Sequence, residues 1–309
     1  MTSESLFDAE SGLEPTHQKT NLWRTTAVLL YRYEINLGFL QNGLTSIVVP
    51  QEMSYFAPRK AGLLLGALSI VSACIFATSP LVGYFVDRIG RRPLLIFGAT
   101  VVSGGVALFI IGAISRSLPT YFAAYCATSV GIVVLSTVFH AIVADLSAAM
   151  PNKAGQISFI YTIYAFIGAG ISYMAAGVLF QVSEENHGFY YFTACVTTVS
   201  NVALLAVVQP SSPRPAEPLI VGGSSTESPL HLRVCSVFVE WCGSELYHPW
   251  RRCVLARTLY YFAEAMIFSF ILYYLTDCTN SKNPDASMSI IAFVTIGGSF
   301  AAAWPAGHL

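Results

Sequence analysis

From Ala61 to Val86 the chain runs without a single Asp, Glu, Lys or Arg. It does so again over Pro93–Ser115, Ser117–Ala144, Ala154–Ser183, His187–Pro213 and Ala286–Leu309. A helix needs about 20 apolar residues to cross a bilayer, so each stretch is long enough to span one. Two further apolar stretches, near Ala27–Val49 and Cys253–Thr276, carry charges within them. Together these predict eight membrane helices. A membrane β-barrel would need short alternating strands of about ten residues rather than unbroken apolar runs. The fold class expected is an all-α polytopic membrane protein.

Composition agrees. Only 11% of residues are charged, against about 25% in an ordinary soluble domain. Mean hydropathy is +0.60 and net charge is −1. These values argue against a soluble enzyme, a disordered chain or a nucleic-acid binder. The seven cysteines fall mostly in or beside spans, and none shows the spacing of a zinc site. Neither a metal nor a disulfide framework is expected. No Gly-x4-Gly-Lys-Ser/Thr run is present to cradle a nucleotide.

Residues 1–22 are polar and acidic, the opposite of a signal peptide's basic start. They read as a cytoplasmic tail. With the N-terminus inside, Lys19, Arg24, Arg88, Arg91, Arg92, Lys153, Arg214, Arg233, Arg251 and Arg252 fall on the cytoplasmic side. Arg59, Lys60, Arg116 and Lys282 fall outside. Ten against four favours that orientation, because positive charge concentrates in cytoplasmic loops. Residues 209–250 hold six prolines and a GGSSTES stretch, which read as a cytoplasmic linker. The linker separates a six-helix bundle, 23–208, from the start of a second bundle, 251–309.

Arg32 and Arg257 lie 225 residues apart, and so do Pro80 and Pro305. The first pair sits in spans one and seven, the second in spans two and eight. That offset suggests two six-helix repeats, with two helices of the second present. Parallel repeats of this kind build one class of secondary transporter.

Between spans two and three stands Gly83-Tyr-Phe-Val-Asp87-Arg88-Ile-Gly90-Arg91-Arg92-Pro93. Gly83 allows close backbone approach at a helix end. Gly90 permits a turn that a side chain would resist. Asp87 can pair with a nearby Arg or favour a helix N-terminus, while Arg88, Arg91 and Arg92 pin the loop to the cytoplasmic face. This order resembles the loop signature of the major facilitator superfamily. The segment FHAIVADLSAAMPNKAGQIS is similar to a second family pattern through Asp145, Pro151, Gly155 and Ser158, with Ala154 where a basic residue is usual. The resemblance covers about residues 22–309. It implies a twelve-helix fold of which this chain supplies eight, so the chain looks like a fragment or a shortened gene model. It also implies that the Gly83–Arg92 loop holds a gate by packing near the eleventh helix.

Charges and amides inside spans are costly in lipid, so they usually face a bundle interior or a wet cavity. Span one carries Arg32, Glu34, Asn36, Gln41 and Asn42; span four carries His140, with Asp145 at its end; span seven carries Arg257 and Glu264. The resemblance implies that spans one, four and seven line the central cavity. Arg32 and Arg257 lie near span ends and suit a structural role, reaching to the interface. Glu264, near mid-span, is the first candidate for proton coupling or substrate contact, with Glu34 beside it in role.

His140 and Asp145 also show an H-x4-D spacing in which a His acts as base, although two residues at that spacing recur by chance. The expected function is movement of a small solute by alternating access and without a nucleotide, with protons as the candidate coupling ion. The alternative is a membrane binding or regulatory protein that keeps the fold without transporting.

Overall fold

The computed structural model describes residues 35–149, 154–182, 187–207 and scattered positions between 252 and 298. The tail 1–22, the linker 209–250, and Arg32, Glu34, Pro151, Arg257 and Glu264 lie outside the described residues. Within the described residues the regular structure is helical, as the uncharged runs predict.

Helix α1 covers 35–56; its middle, Leu40–Val48, is π-helical and its end, Val49–Phe56, is regular. It is followed by α2 (Ala61–Phe76), α3 (Ser79–Ile89), α4 (Arg91–Ile114), α5 (Leu118–Ala149), α6 (Ala154–Val182) and α7 (His187–Val207). Among the described residues, four stretches are long and apolar enough to cross a membrane: Ala61–Ile89, Arg91–Ile114, Leu118–Ala148 and Gly155–Gly177. Helix α7 has the length, at 21 residues, but is more polar, with Thr193, Thr197 and Asn201 buried along it.

The second predicted span is two helices, α2 and α3, broken at Ala77–Thr78. The cause is Pro80. It has no N–H to give to the carbonyl four residues earlier, Phe76, so the helical ladder cannot run through. One hydroxyl takes over the carbonyl so freed, and a second adds to the Thr78 N–H bond on the carbonyl before it. Ser79 Oγ donates to the Phe76 carbonyl, and Thr78 Oγ1 donates to Ile75 at 2.6 Å. In lipid, where no water can satisfy a loose carbonyl, that substitution makes the break tolerable.

Helix α4 lies along α5 over their whole length, with α7 on its other side, while α6 packs against α1. Small residues set the closeness of both contacts. A methyl added at Gly105 would run into Thr128, and one at Gly168 would strike the backbone of Ile35. Not every glycine in these stripes serves this purpose, since Gly104 and Gly170 have open space around them.

The packed interior forms two clusters stacked along the helices. One, towards the Ala57–Lys60 turn, gathers Phe39, Met53, Leu65, Phe109, Tyr121 and Tyr190. The other, towards Gly90, gathers Leu37, Val86, Leu95, Leu135, Phe139 and Leu204. Large apolar side chains on the outer faces, among them Leu63, Ile70, Ile111 and Val199, stay more than half exposed. In water such faces would be costly; in a bilayer they meet lipid tails as apolar as themselves.

Candidate functional site

The loop signature occupies the junction of α3 and α4. Gly90 has φ 91° and ψ 165°, a region of backbone space open essentially to glycine alone. It caps α3 through its N–H to the Val86 carbonyl at 3.2 Å and starts α4 at once. That sharp join points the next residue, Arg91, across to the end of α5. There its guanidinium forms an ion pair with the Asp145 carboxylate. The two side chains are 28% and 32% exposed, so the pair is shielded from water without being dry. Two sequence motifs, one between spans two and three and one at the end of span four, are therefore one piece of structure.

The rest of the signature is more open. Asp87 is exposed and makes no ion pair with a described residue; the acidic partner of the loop's arginines is Asp145, 54 positions past Arg91. Arg88 lies over the ring of Tyr84, one turn back, at 5.0 Å from its centroid, a cation–π contact. Arg92 is exposed. At Gly83 a methyl's nearest neighbour would be Thr137 Cγ2 at 4.0 Å, so no close backbone approach demands glycine there. Asp87, Arg88 and Arg92 thus stand open at this end of the bundle, held in place by the Gly90 turn and the Arg91–Asp145 pair.

The amides of span one separate into two kinds. Asn36 is fully buried; its Oδ1 accepts from Thr197 Oγ1 at 3.3 Å, while its Nδ2 has no partner among the described residues. It is a core residue between α1 and α7, not one on an open face. Gln41 is exposed and Asn42 is half-buried, both on the π-helical stretch. A π turn adds a residue to the helical repeat and so rotates the side chains beyond it, and here it coincides with a wedge from α6. Ser172 Oγ donates to the Phe39 carbonyl at 2.6 Å, and its side chain presses on Gly43, where a methyl could not fit. Asn42 Nδ2 donates to the Gly38 carbonyl at 2.8 Å.

His140 is exposed on α5. Its Nδ1 sits 2.6 Å from the Ser136 carbonyl, which fixes Nδ1 as the protonated nitrogen. Its ring meets Tyr161 edge-on at 5.6 Å. Asp145, the supposed orienting acid, is engaged by Arg91.

One charged residue gives no sign of its role in the sequence. Glu52 closes the last turns of α1 and is only 8% exposed. It lies just past the apolar stretch of span one, where a carboxylate reads as a solvated loop residue. Its tertiary packing shows otherwise: this segment lies against α2, and Phe56 meets Tyr121 of α5.

Comparison with known proteins agrees with this architecture. The Major Facilitator Superfamily model matches residues 35–309. The chain is 27% identical over 202 residues to the probable vesicular acetylcholine transporter-B of Danio rerio, covering 62% of this chain and 39% of that protein. It is 33% identical over 111 residues to organic anion transporter 3 of Rattus norvegicus, covering 35% of this chain and 20% of that protein. The matches therefore span well under half the length of these relatives. With the helical bundle, the Gly90 turn and the family match over nearly its whole length, the chain belongs to the major facilitator superfamily.

Proposed function

We propose that the chain forms part of a secondary transporter that moves a small solute across a membrane by alternating access. The observation that carries this reading is the Arg91–Asp145 pair. It fixes a charged loop rigidly to the end of one bundle while Asp87, Arg88 and Arg92 remain exposed. Such a surface suits a gate that closes against a second bundle and releases it again, as rocking of two bundles about a central site requires. Membership of the superfamily supports the same reading. One relative is named for acetylcholine, a cation, and another for organic anions, so the names support a small organic solute without fixing its charge.

The N-terminus is proposed to be cytoplasmic, from the ten-to-four distribution of Lys and Arg. This puts the Gly90 loop inside and the Ala57–Lys60 turn outside. Residues 23–208 are proposed as the first six-helix bundle and 251–309 as the start of a second. Glu34 and Glu264 are the proposed proton-coupling carboxyls, and Gln41, Asn42 and His140 the proposed solute contacts. Arg32 and Arg257 are proposed to hold helix ends. The chemistry proposed is transport, not catalysis, in keeping with membership of the superfamily.

The test is uptake into sealed vesicles containing the purified protein, with a panel of labelled organic cations and anions, with and without a pH gradient. Accumulation driven by the gradient and abolished in Glu264→Ala is the expected result. Solute binding without flux would replace transport by a binding or regulatory role. A chemically altered solute, lost on His140→Ala, would restore the enzyme reading.

A further inference from the structure

At the end of the bundle opposite Gly90, three helices meet around a single buried acid. Glu52, 8% exposed, comes from α1; Tyr121, fully buried, from α5; Tyr190, 1% exposed, from α7. The two tyrosine hydroxyls are 2.9 Å apart, and the Tyr190 hydroxyl lies within hydrogen-bonding reach of the Glu52 carboxyl. The three side chains tie α1, α5 and α7 together around one carboxyl.

Rings enclose it. Phe56 lies 5.3 Å and Phe109 4.8 Å from the Tyr121 ring, and Phe109 stacks 6.3 Å from Tyr190. Among the described residues, the other titratable groups in this cluster are Tyr125 on α5 and Tyr173 on α6, both buried phenols. The described basic residues at this end, Arg59, Lys60 and Arg116, are exposed.

Moving an ionised carboxyl out of water costs far more than moving the neutral acid. A tyrosine donor offsets part of that cost when the carboxyl is charged. A buried acid with such a donor has two accessible forms whose balance depends on how tightly the helix ends close over it. We propose that Glu52 is a proton-binding carboxyl, distinct from Glu34 and Glu264, that is protonated while the cluster is closed. In the step, a proton from water at the Ala57–Lys60 end adds to a carboxylate oxygen, taking the charge from −1 to 0; opening the helix ends returns it. The binding of the proton stands on the cluster alone. Its use in driving flux rests on the transport reading above.

The experiment is a pH titration by infrared difference spectroscopy on the full chain in lipid nanodiscs. The wild type is expected to show the C=O stretch of a protonated carboxylic acid, appearing as pH falls. Glu52→Gln removes that band, and Tyr190→Phe shifts its frequency because one hydrogen bond is lost. A spectrum unchanged in both variants overturns the proposal. If Glu52→Gln fails to fold, Glu52→Asp takes its place, and an unshifted band in both Glu52→Asp and Tyr190→Phe overturns it equally. Flux is measured separately on the same preparations. Wild type without flux but with the band would sink the transport reading and leave the proton site; flux without the band would do the reverse.

Discussion

Two residues carry positive φ among those described, and they place opposite demands on the chain. Gly90, at φ 91° and ψ 165°, has open space where a Cβ would go. Its requirement is therefore purely one of backbone conformation. Gly90→Ala is expected to cost about 1–3 kcal/mol, read as a lower midpoint in thermal unfolding in detergent; an unchanged midpoint would mean that the turn has another way to form. Arg116, at φ 49°, ends α4 in the opposite situation. The Ser117 N–H bonds back to the Gly112 carbonyl at 3.0 Å and the Arg116 N–H to Ala113 at 3.3 Å, a helix stop that normally uses glycine. Holding a side chain there costs roughly 1 kcal/mol. Arg116→Gly is expected to raise the unfolding midpoint by a comparable free energy. Of these two, the sequence discloses Gly90, because a glycine between two charged helix ends announces a turn. It hides Arg116, because nothing in an arginine advertises a left-handed backbone.

At the scale of elements, the contact that organises the Gly90 end is the join of α4 to α5. Zipped along small residues at Gly98, Gly105 and Gly131, the two helices bring Arg91 and Asp145 to the same level. The pair is about one third exposed, so its direct worth is modest, about 0.5–1 kcal/mol. A double-mutant cycle with Arg91→Ala and Asp145→Ala is expected to return a coupling energy of that size, and the swap Arg91→Asp with Asp145→Arg to recover part of it. A coupling of zero would leave the loop held by the Gly90 turn alone. The sequence shows both motifs but not their meeting, since pairing across 54 residues is a property of packing. The same limit explains span two. Uncharged length predicts a single helix there, and Pro80 with its two hydroxyl donors makes it two. It also explains Glu52. A carboxylate beyond an apolar run reads as loop, and only tertiary packing buries it. The existence of the helices is legible because lipid admits so few backbone solutions; helix interruptions and cross-helix polar contacts are not, because each depends on a neighbour.

For the molecule as a whole, the side on which each end of the bundle lies decides the direction of any gate. Among helices α1–α7 the described basic residues divide evenly: Arg88, Arg91 and Arg92 at the Gly90 end, Arg59, Lys60 and Arg116 at the other. The proposed cytoplasmic placement of the Gly90 loop therefore draws its weight from Lys19, Arg24, Lys153 and the basic residues around the linker. That placement has a direct consequence at two exposed positions. In intact cells, a membrane-impermeant maleimide is expected to label Arg116→Cys above the wild-type background, and to label Arg92→Cys only after the membrane is opened. The opposite pattern would invert the bundle. Asp87, Arg88 and Arg92 would then face outward, and Glu52 with its tyrosines would lie at the cytoplasmic end. A proton taken up there would enter from the cell interior, so the labelling result also fixes the direction in which a proton bound at Glu52 could drive a solute.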